Sequence, residues 1–320
     1  MANRISTQRL FSRFDRPLII HPFYHTVSNG YLPHLTPLYK PPTFGKFKED
    51  LDFLLRYFQA VDAEDVWLHT TGEKRLAKDA FHLSFDDGLK EVYTEVMPYL
   101  YRKGIPATVF ITNDFVNNTQ LFYRHKAALL IDALTKRKPS PAVQKTIEMR
   151  IGFPSKKTLP EKIGVVKYPQ REVLDEIASL LEIDFEQYLQ NECPYLTMKQ
   201  LFEMRKKGFS IGGQGIDHQP FSGLSEEEQV RQIVSSIGFV KRIAPDQHRY
   251  FAFPDNDEAV PESVFQTIYR KSKRGAELTF DSGGIGTHYD GRHISRMAME
   301  QAGRDAKEMV NRALLGAFQK

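Results

Sequence analysis

The stretch Phe81-His82-Leu83-Ser84-Phe85-Asp86-Asp87-Gly88 alternates in polarity and then stops on two acids and a glycine. It reads as a short strand running into a loop. Downstream, Leu89, Val92, Tyr93, Val96 and Leu100 recur at helical spacing, and Gly104 and Pro106 close that helix. Ala107 to Thr112 (ATVFIT) is then a short buried strand. Strand, helix and strand in this order predict a parallel α/β unit. Two adjacent carboxylates at the C-terminal end of such a strand sit where α/β folds place their sites.

The same rhythm extends in both directions. Upstream, Pro17 to Val27 predicts the first strand, and Phe47, Leu51, Leu54, Leu55 and Phe58 predict a helix. Residues 113–198 break the pattern with polar, partly helical sequence interrupted by Pro139, Pro141, Pro154, Pro160 and Pro169. They read as a helical insertion, a cap or lid, within one domain spanning residues 1–320. The α/β rhythm returns with strands at Phe209–Ile211, Tyr250–Phe253 and Leu278–Phe280. Between them fall a helix opened by a Ser225/Glu228 capping box, a helix over Glu262–Lys273, and a last helix from about Glu300 to Phe318. Repeated units of this kind predict a barrel or an open doubly wound sheet.

Composition bounds the function. The chain has 320 residues, 41% hydrophobic and 26% charged, enough for a large core. A net charge of +4 gives no reason to expect nucleic acid or an anionic membrane as partner. Cys193 is the single cysteine, so no intrachain disulfide forms. Met1 to Arg16 carries four arginines and no apolar run of signal-peptide length, and no window suits a membrane span. The expectation is a cytoplasmic, soluble protein.

Four segments carry candidate chemistry. Asp86 and Asp87 are a cation ligand and a base, or helix-capping acids. On a strand they would face opposite ways, so the loop must bend, and Gly88 permits that. In the second segment, Ser210 to His218, a strand ends in a glycine-rich turn, and His218 is a candidate ligand or a backbone-bonded loop histidine. The third, Phe251-Ala252-Phe253-Pro254-Asp255-Asn256-Asp257, opens into an acidic turn. The fourth is Tyr24-His25, inside the first strand. All four must meet at one rim if they act together.

In this order the four resemble the polysaccharide deacetylases, the NodB-homology carbohydrate esterases. The family's first motif is Thr-Phe-Asp-Asp-Gly, which Ser84 to Gly88 matches with Ser for Thr. The resemblance implies a distorted (β/α)7 barrel. It implies Asp86 as general base, Asp87 as metal ligand and His25 as the acid that protonates the leaving amine. Phe253, Pro254 and Asp255 would form one wall, with a backbone N–H near Asp255 facing the oxyanion. The second motif departs: where the family has two histidines, this chain has Gln214 and His218. Gln214 would be a weak ligand for a divalent metal, with zinc as the expected ion. The family's base-orienting arginine is replaced by Ala252, with Arg249 nearby.

The implied activity is metal-assisted removal of an acetyl group from an N-acetylated carbohydrate. Two alternatives follow from Gln214: a degenerate homologue that binds carbohydrate or a partner without turnover, and a metal-independent hydrolase of another linear or cyclic amide. Arg124-His125-Lys126 reads as a solvated helix face or as the cap side of the cleft, and His288, Asp290 and His293 as an ordinary loop or one that contacts substrate. Asp217 reads as a turn residue ahead of a substitute ligand, and Trp67 as core or hydrophobic edge.

Overall fold

The computed structural model describes residues 17–152, 156–270, 274–301 and 303–317. The ends of the expected helices at Lys273 and Phe318 lie outside these residues, as does Pro154. Among the described residues no helix is long and apolar enough to cross a membrane.

The run Pro17–Val27 forms two strands, Ile19–Ile20 (β1) and Pro22–Tyr24 (β2), and His25 lies just past the second. The first acidic stretch divides likewise, into Ala80–Phe81 (β4) and Leu83–Phe85 (β5). The halves split because they pair in different sheets. β4 lies between β1 and Gln59–Ala60 (β3), whereas β5 joins the main sheet beside β2. The residues at the two breaks, His21 and His82, meet edge to face at 5.7 Å.

The main sheet continues in parallel from β2 through β5, Ala107–Ile111 (β6), Ser210–Gly213 (β7), Tyr250–Ala252 (β8) and Leu278–Asp281 (β9). After an antiparallel excursion through Gly286–His288 (β10), His293–Ser295 (β11) pairs with β9, and Met297–Ala298 (β12) pairs with β2. β11 and β12 are one stretch of chain separated only by Arg296. On one side Arg296 N–H donates to Asp281 O at 3.2 Å; on the other, Met297 N–H donates to His21 O at 2.9 Å. This stretch therefore bridges the two ends of the sheet and makes the seventh parallel member of a distorted (β/α)7 barrel.

Two local expectations change. The expected glycine-rich turn after Ile211 is strand, because β7 runs through Gly212 and Gly213. A Cβ on Gly212 would lie 2.4 Å from the Phe110 ring, so the glycine is required for close packing. The helix after Asp87 contains Pro98, which has no N–H to donate. The chain absorbs this with a wide π-helical turn over Val92–Val96 before Met97–Lys103, which ends at left-handed Gly104.

The segment between β6 and β7 is helical: Tyr123–Lys136, Pro141–Ile151, Leu159–Gly164, Glu172–Leu180 and Phe185–Glu192. These helices bury a core of their own that includes Leu130, Ile147, Ile163, Leu174 and Ile177. The segment is tied to the first acidic loop by backbone bonds from Lys90 N–H to Pro194 O and from Leu196 N–H to Gly88 O.

Candidate active site

A cavity of about 1240 Å³ opens between the strand ends and the helical segment, and His25, Asp86, Asp87, Gln214, His218, Phe253 and Asp255 all line it. Pro254 sits behind this lining, close to Gly215. Three of the lining residues, Asp87, His218 and Asp255, hold left-handed φ values of 67°, 57° and 59°. Such backbone costs of order 1–3 kcal/mol per residue and persists where the surroundings enforce it. The bend expected at Gly88 thus begins one residue earlier, at Asp87, and it turns the second acid toward the cavity that the first already faces.

Asp86 is buried and fully engaged. Arg296 grips it with Nη1 donating to Oδ1 at 2.7 Å and Nη2 to Oδ2 at 2.8 Å. Nη1 also donates to Ser84 Oγ at 3.0 Å, and Nε donates to Asp281 O at 3.1 Å. A two-pronged guanidinium–carboxylate pair fixes both position and orientation. Each carboxylate oxygen has two lone pairs, so Asp86 keeps acceptor capacity toward the cavity.

His25 is held by Glu300. Glu300 Oε1 accepts from the backbone N–H groups of His25 and Thr26 at 2.9 and 3.0 Å, and Oε2 lies 2.6 Å from His25 Nδ1. Packing disfavours the charged ring. Glu300, with Asp87 and Asp86 behind it, outweighs that and raises the imidazole to about 10. The side chain is still 36% exposed to the cavity, so water screens the pair. His25 is a protonated donor at neutral pH.

Asp87 and His218 form the second acid–histidine pair of the cavity. Burial opposes ionisation of Asp87, but His218, then His25, hold it well below the usual carboxylate range. Burial likewise opposes charge on His218, and Asp87 raises it. His218 Nε2 lies 3.2 Å from Asp87 Oδ1, yet that oxygen is buried without a hydrogen-bond partner. Two donor atoms so placed, one of them unsatisfied, fit a divalent cation. Gln214 does not complete the set. Its Oε1 accepts from Asp87 N–H at 2.8 Å, which fixes the carboxamide and leaves Nε2 3.4 Å from His218 Nε2. An amide N–H group offers a metal no lone pair.

On the opposite wall, Phe253 N–H is spent on Phe280 O at 2.9 Å and Pro254 has none, which leaves Asp255 N–H as the donor of that loop. Ser282 Oγ holds the loop by donating to Asp255 O at 2.9 Å. Tyr39 also faces the cavity, and its hydroxyl is buried without a partner.

A family model described as polysaccharide deacetylase matches residues 73–263. The chain belongs to the polysaccharide deacetylase family. Its members hydrolyse non-peptide carbon–nitrogen bonds in carbohydrate, and this deacetylase has the fold they share. The Streptococcus pyogenes deacetylase PplD, solved in complex with acetate, superposes with a TM-score of 0.58 at 13% identity, over 92% of this chain and 97% of that one. IcaB from Ammonifex degensii gives 0.53 at 15% identity, over 92% and 96%. The BpsB deacetylase domain from Bordetella bronchiseptica gives 0.51 at 12% identity, over 88% and 95%. At these identities the likeness is one of fold. No curated protein sequence matches the chain.

Within this deacetylase, several expectations are corrected. Ala252 leaves no gap in the grip on the base, because Arg296 supplies the guanidinium from the strand that closes the barrel. Arg249 plays no such part: it lies just before β8, at the far end of the barrel, and pairs with Glu277 at 2.9 Å. His125 is buried beneath the cavity, not solvated, with Nδ1 2.6 Å from Tyr195 Oη; burial holds its ring neutral. Asp217 keeps the turn reading, at a bend where it accepts from Tyr168 Oη at 2.6 Å and Gln232 Nε2 at 3.0 Å.

His293 is a strand residue and not a loop one. Its Nε2 lies 3.0 Å from Asp257 Oδ2 and 3.2 Å from Asp281 Oδ2, while Nδ1 meets Thr279 Oγ1 at 2.8 Å. Asp257, Asp281 and His293 thus form a second group able to hold a cation, beside the cavity wall carrying Asp255 and Ser282. Arg296 and Glu300 escaped the sequence reading altogether. Residues 294–299 read Ile-Ser-Arg-Met-Ala-Met, with no period-two alternation to mark Arg296 as an inward-facing strand residue.

Proposed function

We propose that this protein removes the acetyl group from an N-acetylated carbohydrate, with Asp86 as general base and His25 as general acid. The observation that carries the reading is one cavity lined by two held groups of opposite task, Asp86 gripped by Arg296 and His25 by Glu300. Asp86 removes a proton from water as the water attacks the acetamide carbonyl carbon. Asp255 N–H would meet the negative charge that develops on the carbonyl oxygen. His25 then gives its proton to the nitrogen as the C–N bond breaks, leaving acetate and an amine.

A divalent cation, with zinc favoured by the donor types, would be held by Asp87 Oδ1 and His218 Nε2. There it would polarise the acetamide carbonyl and acidify a water. With Gln214 committed to Asp87 N–H, two protein donors would hold the ion where the family uses three. The test is acetate release from N-acetylglucosamine oligomers by the wild-type chain and by Asp86→Asn. A fall of about 10²–10⁴-fold in kcat is expected. Equal release from both would refute the role of Asp86.

The committed Gln214 oxygen also supports a second reading, a homologue that binds carbohydrate without turnover. Saturable oligomer binding, with no acetate released at any zinc concentration, would select it. Release that persists in excess chelator would instead select the metal-independent amide hydrolase.

A further inference from the structure

The two walls of the cavity differ in how their charges are matched. On the barrel side Asp86 is paired with Arg296 and Asp87 lies 3.2 Å from His218, so acids and cations stand together. On the helical side the lining residues include Arg124, Lys167 and Arg171, and no carboxylate. Neither Arg124 nor Lys167 pairs with a carboxylate among the described residues, and Arg171 meets only exposed Glu172, at 3.1 Å. An exposed pair of that kind is worth little and exchanges easily for a better partner.

These cations surround an aromatic platform. Tyr123 and Tyr168 meet edge to face with centroids 5.5 Å apart, and the Arg171 guanidinium lies 4.2 Å from the Tyr168 ring centroid. The platform is anchored to the second motif, because Tyr168 Oη donates to Asp217, the residue before His218. The basic wall therefore stands at a fixed offset from the acid and base.

A neutral N-acetylated sugar accounts for the rings and offers the cations hydroxyl acceptors, but no negative charge. Guanidinium and ammonium groups without carboxylate partners at a cleft wall match an anion, and planar Arg matches a phosphate or carboxylate best. Resting on the deacetylase reading, we propose that the substrate is an acidic N-acetylated glycan. Its acetamide lies at Asp86 and His25, and a phosphate or carboxylate on a neighbouring sugar lies on Arg124, Lys167 and Arg171. Loss of the acetyl group would then leave a product with the new ammonium facing Asp87 and Asp255 and the anion facing the cap.

The experiment measures acetate release from three oligomers: neutral N-acetylglucosamine, the same oligomer bearing a phosphate ester, and one in which N-acetylglucosamine alternates with glucuronate. Whichever acidic oligomer is preferred identifies the anion. In Lys167→Gln/Arg171→Gln the ratio of kcat/KM for acidic over neutral oligomer should fall about tenfold or more, mostly through KM, and Lys167→Arg/Arg171→Lys should largely retain it. A wild type that prefers the neutral oligomer, or a ratio unchanged in the double variant, overturns the proposal. If no oligomer releases acetate, the deacetylase reading fails, and calorimetric binding decides the charge inference alone. Tighter binding of an acidic oligomer that the Gln variant loses supports it; equal binding of acidic and neutral oligomers overturns it.

Discussion

The two acidic corners of the cavity are built to different standards. Around Asp86, Arg296 and Ser84 satisfy the carboxylate and its guanidinium partner in a dry setting. Around Asp87, one carboxylate oxygen and His218 Nδ1 are buried without partners, and the position where the family has a histidine carries an amide turned to the backbone. The first corner is satisfied within the fold, and the second keeps unpartnered polar atoms. On the proposed reading, the first serves proton transfer and the second would hold the cation.

The sharpest way to break this comparison is to remove the grip on the base. Arg296→Ala leaves Asp86 buried and unpaired, and breaking a buried pair costs about 3–5 kcal/mol. Denaturant unfolding should show that loss, and Arg296→Lys, which keeps the charge but loses the fork, should recover part of it. A loss under about 1 kcal/mol would mean that Asp86 is not dependent on Arg296.

The next test repairs the weaker corner. Gln214→His supplies a third protein donor, the second nitrogen, and should raise zinc retained after dialysis by at least about tenfold, the scale on which one good interaction acts. Metal content separates the two possible seats: His218→Ala should lose the ion and His293→Ala should keep it. The reverse result would move the cation to Asp257, Asp281 and His293.

The smallest expected effect is a displacement in pH. His25 is raised above its ordinary value of 6.5, to about 10, so its donating form is present below that value and is lost as pH rises through it. Glu300→Gln removes the charge that opposes desolvation, so the alkaline limb of kcat should move down, toward the ordinary histidine range. An unmoved limb would show that His25 is not the acid.

Much of this was legible in the chain. The alternation ending at Asp86-Asp87-Gly88, the second and third motifs and the tyrosine–histidine pair are local patterns, and each names a strand end. Local pattern did not reveal Arg296, 210 residues from the carboxylate it grips, or Glu300, 275 residues from His25. Nor did it reveal that His125 is buried, because a helix between two polar neighbours looks the same whether or not another layer covers it.

By itself, then, the sequence determined which residues end each strand and which chemical types gather there, since period and turn chemistry are written over a few neighbouring positions. Only the closed barrel decided which side chains hold them. Closure brings the strand of residues 293–298 between β9 and β2, and that contact depends on the path of the whole chain. The same applies to the basic wall: Arg124, Lys167 and Arg171 are ordinary surface residues along the sequence, and they become one wall only when the helical segment packs over the barrel mouth.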